Sequence, residues 1–161
     1  MEGVAVIRGI WPVLCTPFAP DGRIDPAAMR RIVRFACAAS VDGVVFPGFA
    51  SEVDELAPAE RVALLGTVLD EVQGAVPVIA GASAPSLDEA IARVREVQGL
   101  GINRVMIQAP KAIGTDAAAV ADFYGAIGKA CPDAEIILQN APAPRGSDLS
   151  SAAVLEVARA V

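Results

Sequence analysis

The sequence predicts an α/β fold built from five βα units. Short aliphatic runs recur along the chain, and their starts are separated by 33, 33, 28 and 31 residues. Between these runs, apolar residues recur at the three- and four-residue spacing of amphipathic helices. With 161 residues, the chain has the length of one domain, and residues 1–161 are assigned to a single domain.

The five predicted strands are apolar almost throughout and do not alternate with polar residues. This pattern is typical of parallel strands that are covered on both faces. The predicted strands are Ile10–Cys15, Gly43–Phe46, Val76–Ala80, Arg104–Gln108 and Glu135–Gln139.

Capping residues mark where the predicted helices begin. Pro26 follows Asp25 at a first helical position, and Glu89 follows Ser86 at capping-box spacing. The predicted N-caps are Asp25, Ser86, Thr115 and Ser150, and the last of these opens a helix that runs to Val161. Gly74 and Gly101 stand where helix ends are expected.

Two architectures fit a string of five βα units. A doubly wound five-stranded sheet would be complete at this length. An eight-stranded (β/α) barrel needs about 250 residues, so this chain would supply its first five units. In both architectures the functional residues lie at the carboxyl ends of the strands.

Composition excludes several classes of function. The net charge is −6 and no basic run is present, which disfavours nucleic acid as a partner. The chain has no histidine, so zinc sites built on histidine and Ser-His-Asp hydrolysis are excluded, and no metal site is predicted.

The apolar N-terminal stretch does not predict a membrane span. It runs from Val4 to Phe18, is interrupted by Arg8, Pro12 and Pro17, and falls short of the about 20 apolar residues that spanning requires. The three cysteines are widely spaced and form no C-x-x-C pair. We expect reduced thiols, most of them in the core, in a cytoplasmic protein.

Candidate site residues follow the second and fifth predicted strands. The loop from Gly48 through Phe49, Ala50 and Ser51 is led by glycine and can offer backbone N–H groups to a carboxylate or phosphate. A plain turn is the alternative for this loop.

The fifth predicted strand ends in two adjacent amides, Gln139 and Asn140. These amides either satisfy loop backbone groups or hydrogen-bond a polar substrate. Arg145 follows on a loop rich in proline and glycine, where its guanidinium suits bidentate binding of a carboxylate. Together with the loop after the second strand, these residues predict a site for a small anion.

Amine chemistry has two candidates, because Lys111 and Lys129 are the lysines of the chain. Lys111 follows the fourth predicted strand at the expected rim, where a lysine can form a Schiff base. A solvated surface role is the main alternative for Lys111, and it is the expectation for Lys129, late in a helix.

The ordered motifs resemble the dihydrodipicolinate synthase and N-acetylneuraminate lyase family. The resemblance runs from about Gly9 to Val161 and favours the barrel over the doubly wound sheet. The residues that carry it are Thr16-Pro17-Phe18, Asp21-Gly22, Ile24-Asp25, Val41-Asp42-Gly43, Gly48 through Glu52, Val76 through Gly81, the Gly101 region, and Asn140 with Pro142, Arg145 and Gly146.

This resemblance implies the first five units of a (β/α)8 barrel of the TIM type. It also implies a class I aldolase-type lyase that forms a Schiff base with pyruvate, another 2-oxo acid or a sugar acid, without a cofactor. The substrate carboxylate would bind at Phe49, Ala50 and Ser51 and at Arg145. Family members are commonly dimers or tetramers, so a homo-oligomer is expected.

The sequence departs from the family pattern at several site positions. Phe49 and Ala50 replace hydroxyl residues of the loop, and Ser51 restores one hydroxyl a position later. Gln139 takes the place of the tyrosine that shuttles protons, and an amide cannot titrate near neutral pH. These departures imply a branch that differs from true dihydrodipicolinate synthase.

The resemblance places the Schiff-base lysine on a sixth strand, beyond Val161. We therefore expect this chain to be inactive by itself, with Lys111 as a replacement nucleophile the less favoured alternative. The non-enzyme alternatives are a barrel fragment, or a flavodoxin-like module, that binds a small carboxylate or a partner subunit.

Overall fold

The computed structural model describes residues 7–161. The start of the Val4–Phe18 stretch, up to residue 6, lies outside the described residues. The chain divides into two compact units, one ending at Gly81 and the other running from Ala82 to Val161. No helix among the described residues is long and apolar enough to cross a membrane.

The first unit contains two helices and a short pair of parallel strands. Its elements are α1 (Pro26–Ala38), β1 (Val44–Val45), α2 (Pro58–Val72) and β2 (Val78–Gly81). Strand β1 pairs with β2 in parallel, and α1 packs against α2. The most deeply buried core side chains are Met29, Val33, Val44, Phe46, Leu64 and Val68.

The first predicted strand, Ile10–Cys15, is wrong as a regular strand. Only Val13 forms a bridge there, in parallel to Val45. Pro12 has no N–H to donate to a ladder, and the N–H of Ile10 donates to the Asp42 carboxylate at 2.7 Å. The segment nevertheless stays beside β1, because Leu14 donates its N–H to the Val45 carbonyl at 3.0 Å.

This pairing bears on the choice between the barrel and the doubly wound sheet. The first segment lies beside β1, and β1 lies beside β2. In a flavodoxin-like sheet, with strand order 2-1-3-4-5, the second strand is an edge strand and does not pair with the third. The flavodoxin-like order therefore does not describe this unit.

Close backbone packing in the first unit requires glycine at Gly43 and at Gly81. A Cβ at Gly43 would overlap the indole ring of Trp11, and a Cβ at Gly81 would overlap the carbonyl oxygen of Pro47. Trp11 is the single tryptophan of the chain, and its ring therefore packs directly on the Gly43 backbone.

The second unit contains three helices and a longer pair of parallel strands. Its elements are α3 (Leu87–Gly99), β3 (Arg104–Gln108), α4 (Ala117–Ala130), β4 (Glu135–Gln139) and α5 (Ser151–Ala160). Strand β3 pairs with β4 in parallel over all five residues, from Arg104 with Glu135 to Gln108 with Gln139. Both strands were predicted with these bounds.

Burial in β3 and β4 departs from the predicted two-sided cover. In β3, Val105 and Ile107 are fully buried while their neighbours are half-buried, and in β4 four residues are half-buried.

Tyr124 of α4 donates its hydroxyl to the Ile107 carbonyl at 2.7 Å and contacts Phe123 edge to face. Burial raises the pKa of this phenol.

The helix starts confirm three of the four predicted N-caps. Asp25, Ser86 and Ser150 each accept a backbone N–H from the first helical turn. The prediction of Thr115 was wrong, because the carboxylate of the next residue, Asp116, accepts the N–H of Ala118 at 3.0 Å. Both residue types can cap a helix, so their order along the sequence did not decide between them.

The expectation that most cysteines lie in the core was also wrong. Cys131 is buried, Cys37 is half-buried and Cys15 is exposed, and all three are free thiols. Cys15 stands between the buried residues Leu14 and Thr16, so it faces the opposite side of an extended segment.

Candidate active site

The loop between β1 and α2, residues 46–57, is organised around the Ser51 side chain. Gly48 and a short 3₁₀ helix at Phe49–Ser51 open this β1–α2 loop. The Ser51 hydroxyl is fully buried, accepts the N–H of Gly48 at 2.8 Å and donates to the Leu14 carbonyl at 2.6 Å. Its single proton is therefore used within the protein.

Thr16 fixes the same loop from the first segment. Its hydroxyl, itself buried, donates to the Ser51 carbonyl at 2.5 Å. The sequence analysis named Thr16 only among the residues that carry the family resemblance, although its position directly after the first predicted strand was a signal for a role at the site. The three predicted binding residues of the loop thus lie in one 3₁₀ turn, with Ser51 inside and Phe49 and Ala50 exposed.

The backbone N–H of Ala50 in this loop has no hydrogen-bond acceptor among the described residues. Ala50 is the second residue of the 3₁₀ helix, so no carbonyl of that helix lies in position to accept its N–H. No other acceptor for it occurs among residues 7–161. An unpaired N–H at a helix start is a suitable donor to an anion.

The loop between β4 and α5, residues 140–150, is closed at its base by Asn140. The Asn140 carboxamide donates to the Leu149 carbonyl at 2.9 Å and accepts the Leu149 N–H at 3.0 Å. This confirms, for Asn140, the interpretation that the amide satisfies loop backbone groups. A Cβ at Gly146 would overlap the Ala141 carbonyl oxygen, so the tight course of this β4–α5 loop requires glycine there.

The neighbouring amide, Gln139, is arranged differently. Its side chain is half-buried at the carboxyl end of β4 and has no hydrogen-bond partner within the described part of the chain. The two adjacent amides therefore differ in role. Asn140 hydrogen-bonds loop backbone groups, whereas the Gln139 side chain remains available to a ligand.

The tip of the β4–α5 loop is tied to the end of β3. Gln108 donates its carboxamide N–H to the Arg145 carbonyl at 3.0 Å, and Lys111 donates to the Pro144 carbonyl. Arg145 itself is exposed. Gln108 was not among the predicted site residues, since its reach to the loop is a tertiary contact.

A second set of contacts supports β3 from the loop after β2. The Ser83 hydroxyl accepts the Gln108 N–H at 2.9 Å, and Arg93 of α3 donates to the Ser83 carbonyl. Ser147 places a buried hydroxyl oxygen in the β4–α5 loop without a hydrogen-bond partner among the described residues.

A shallow cavity of about 340 Å³ lies elsewhere in the first unit. It is lined by Ala19, Arg23, Ile24, Asp25, Pro26 and Glu60. Its charged groups are already engaged, since Arg23 pairs with Asp21, Asp25 caps α1 and Glu60 accepts the Ala57 N–H. No group of three or more potential metal ligands occurs among residues 7–161.

The dihydrodipicolinate synthetase family matches residues 6–160. The chain belongs to this family. Among curated relatives, a probable 2-dehydro-3-deoxy-D-pentonate aldolase of Escherichia coli is 31% identical over 150 residues, which cover 93% of this chain and 50% of the relative. The 4-hydroxy-tetrahydrodipicolinate synthase of Stenotrophomonas maltophilia is 28% identical over 152 residues, covering 94% and 51%.

Solved structures of the family share the fold. The N-acetylneuraminate lyase of Fusobacterium nucleatum superposes with a TM-score of 0.81 at 24% identity, covering 94% of this chain and 52% of that one. The family's fold is the TIM barrel, which confirms the predicted fold class, with this chain covering its N-terminal part. The chain spans about half the length of the curated relatives it matches.

Proposed function

We propose that the protein containing this chain is a Schiff-base-dependent, class I aldolase-type lyase. Its substrate would be pyruvate, another 2-oxo acid or a sugar acid. The family match along residues 6–160 carries this proposal, since the relatives named above are an aldolase, a synthase and a lyase. The chain would supply part of the substrate site.

Two features of the chain support binding of a carboxylate. The Ala50 N–H has no acceptor among the described residues and lies in a loop that Thr16 and Ser51 hold in place. Arg145 is exposed at the tip of the β4–α5 loop, and a guanidinium pairs with a carboxylate through two parallel hydrogen bonds. Phe49, exposed beside Ala50, would add apolar contact to the substrate.

Gln139 supports a chemistry that differs from true dihydrodipicolinate synthase. It stands where the resemblance places a tyrosine, and its half-buried carboxamide has no hydrogen-bond partner in the described chain. A carboxamide can hold a carbonyl oxygen or a water molecule, but it cannot take up and release a proton near neutral pH. We propose that Gln139 orients the substrate and that another group transfers the proton.

We assign the Schiff-base amine to the strand-six lysine that the resemblance places beyond Val161. Lys111 supports this assignment indirectly, because it donates to the Pro144 carbonyl and thereby holds a loop. Lys129 lies in the last turn of α4. We further propose a cytoplasmic homo-oligomer, in keeping with the free thiols and with the family's common dimers and tetramers.

A titration of the 161-residue chain with pyruvate, followed by NMR of the backbone amides, tests carboxylate binding. We expect the amide resonance of Ala50 to shift with pyruvate. Pyruvamide, a neutral analogue of the same shape, is the matched control and should leave it in place. Equal shifts with both compounds would contradict a carboxylate site.

Borohydride reduction in the presence of pyruvate, followed by peptide mapping, tests the assignment of the amine. We expect no pyruvate adduct on Lys111 or Lys129 of this chain. An adduct on Lys111 would overturn the assignment and would make Lys111 the nucleophile.

A second candidate function is carboxylate binding without catalysis by this chain alone. The observation that favours it is the use of the Lys111 amine as a hydrogen-bond donor to the protein. For this chain both candidates predict a shift of the Ala50 amide with pyruvate and no adduct. A pyruvate adduct trapped on a strand-six lysine of the longer protein separates them, because only the lyase forms it.

A further inference from the structure

Lys111 and Gln108 both contact the tip of the β4–α5 loop, and both do so through carbonyl oxygens of consecutive residues. Lys111 donates to the Pro144 carbonyl, and Gln108 donates to the Arg145 carbonyl at 3.0 Å. The two donors come from the end of β3 and from the 3₁₀ helix at Lys111–Ile113 that follows it. The peptide unit that precedes Arg145 and the one that follows it are therefore both held from outside the loop.

The rest of the loop is held from within. Asn140 closes the base against Leu149, and the N–H groups of Arg145 and Gly146 both reach the Pro142 carbonyl at 3.0 Å. These bonds fix a turn at Pro142–Gly146, but they do not attach it to a strand. The donors Gln108 and Lys111 do attach the tip, to the end of β3 and to the 3₁₀ helix that follows it.

We propose that Lys111 and Gln108 are positioning residues that hold the Pro144–Arg145 tip of the β4–α5 loop. Through the tip they fix where the Arg145 side chain begins, and so where a guanidinium can meet a carboxylate. The part of this inference that concerns ligand binding rests on the proposed carboxylate site. The part that concerns the loop rests on the hydrogen bonds alone.

Lys111 and Gln108 should differ in how strongly they hold the tip of the loop. Lys111 carries a charge, and a hydrogen bond from a charged donor is stronger than one between neutral groups. Gln108 is neutral but is fixed in place, because its own N–H donates to the Ser83 hydroxyl at 2.9 Å. We therefore expect loss of the Lys111 amine to release the tip more than loss of the Gln108 amide.

Limited trypsin digestion of the full chain measures the attachment directly, since trypsin cleaves after Arg145 when the loop opens. We expect Lys111→Met to speed cleavage at Arg145 by about threefold to tenfold, as loss of one exposed charge-assisted bond predicts. Gln108→Met should speed it by about twofold to threefold. Lys111→Arg, which keeps a charged donor, should restore a rate near that of the wild type.

Lys129→Met is the matched control. It removes the chain's other lysine with the same change of charge, at an exposed position in the last turn of α4. We expect its cleavage rate at Arg145 to equal that of the wild type. If Lys111→Met cleaves at the wild-type rate, or if Lys129→Met accelerates cleavage equally, the positioning role is overturned.

Pyruvate titrations of the same variants test the consequence for binding. We expect Lys111→Met to weaken pyruvate binding about threefold or more, Lys111→Arg to restore it, and Lys129→Met to leave it unchanged. If Arg145→Met loses binding while Lys111→Met keeps it, the positioning role fails and the carboxylate site stands. If Arg145→Met also keeps full binding, the proposed role of Arg145 fails, and the trypsin rates alone decide whether Lys111 holds the loop.

Discussion

The β1–α2 loop and the β4–α5 loop both carry proposed substrate-binding residues, yet they are fastened by different chemistry. The first loop is held by the Ser51 hydroxyl from within and by the Thr16 hydroxyl from the first segment, and both are buried and bond only to backbone groups. In the second, an amide and an exposed ammonium hold the base and the tip. Each loop also contains a non-glycine residue in the left-handed region, Glu52 at φ 54° and Asp148 at φ 54°.

The difference decides how each loop responds to its surroundings. When one partner of a hydrogen bond that is closed off from water is removed, the other partner stays buried and unpaired, which costs the full desolvation of that remaining group. An exposed charged bond competes with water and is screened by salt. The β1–α2 loop is therefore coupled to the stability of its unit, whereas the β4–α5 loop can open while its unit stays folded.

Replacing Ser51 with alanine should produce the largest loss of stability. The change leaves the Gly48 N–H and the Leu14 carbonyl unpaired in a buried place, which predicts a loss of about 3 kcal/mol in the free energy of unfolding. Urea denaturation measures it. Ser151→Ala, at an exposed position in α5, is the control and should change stability by less than about 0.5 kcal/mol.

A Ser51→Ala variant as stable as Ser151→Ala would contradict the claim that the β1–α2 loop is coupled to the stability of its unit. It would mean that water or a rearranged neighbour replaces the buried hydroxyl at little cost.

Replacing Asn140 with alanine should act on its loop more than on its unit. We expect about 1–2 kcal/mol of lost stability, because two hydrogen bonds at a partly exposed site are removed. Trypsin cleavage after Arg145 should accelerate as the base of the loop opens.

Gln139→Ala is the matched comparison for Asn140→Ala. It alters the adjacent amide, which has no partner among residues 7–161, so stability and cleavage should stay near the wild-type values while pyruvate binding weakens. Equal cleavage rates in the two variants would show that Asn140 does not hold the loop.

The stability of the folded chain should depend on pH through the buried phenol of Tyr124. Burial raises the pKa of its phenol, so the folded chain keeps the phenol neutral where the unfolded chain ionises it. The stability that this provides is fully present below about pH 10, the unfolded pKa, and is lost as the pH rises toward the folded value. Tyr124→Phe should cost about 1 kcal/mol at neutral pH through the lost bond to Ile107.

Phenolate absorbance follows this titration cleanly, because Tyr124 is the single tyrosine of the chain. Denaturation of the wild type between about pH 9 and 11, around the unfolded pKa, should show the alkaline loss, and Tyr124→Phe should lack that component. An ordinary phenol titration in the folded chain would contradict the burial effect.

The smallest effect is expected at Asp21, in the turn after the first segment. Its pKa is lowered mainly by the side-chain hydrogen bond from Arg23, and both side chains are exposed. Asp21→Asn should leave the denaturation midpoint unchanged within error, at low and at high salt. A measurable loss would show that an exposed pair can fasten a loop as firmly as the buried hydroxyls do.

Regular elements of this fold were predictable because local pattern determines them. The strands at Arg104–Gln108 and Glu135–Gln139 and the caps at Asp25, Ser86 and Ser150 follow from residue type and spacing alone. Where two local signals competed, as at Thr115 and Asp116, the sequence did not decide. The first strand failed because Pro12 interrupts a ladder that its aliphatic neighbours would otherwise form.

The chemistry of the loops was harder to predict, because it depends on contacts between residues far apart in the chain. Ser51 was chosen for a hydroxyl that would face a substrate, and in the structure that hydroxyl reaches Leu14, 37 residues away. Gln108 and Lys111 reach the β4–α5 loop across 37 and 33 residues. No spacing rule connects such pairs, so their roles as loop fasteners emerge only from the tertiary structure.

The packing of Trp11 on Gly43 and the bond from Tyr124 to Ile107 give each compact unit its own optical reporter. Since the chain has one tryptophan and one tyrosine, indole fluorescence follows the unit that ends at Gly81, and near-ultraviolet dichroism of the phenol follows the unit that begins at Ala82. A single denaturation experiment with both signals therefore reads the cooperativity of the chain. Coincident transitions mean one folding unit, and separated transitions mean two.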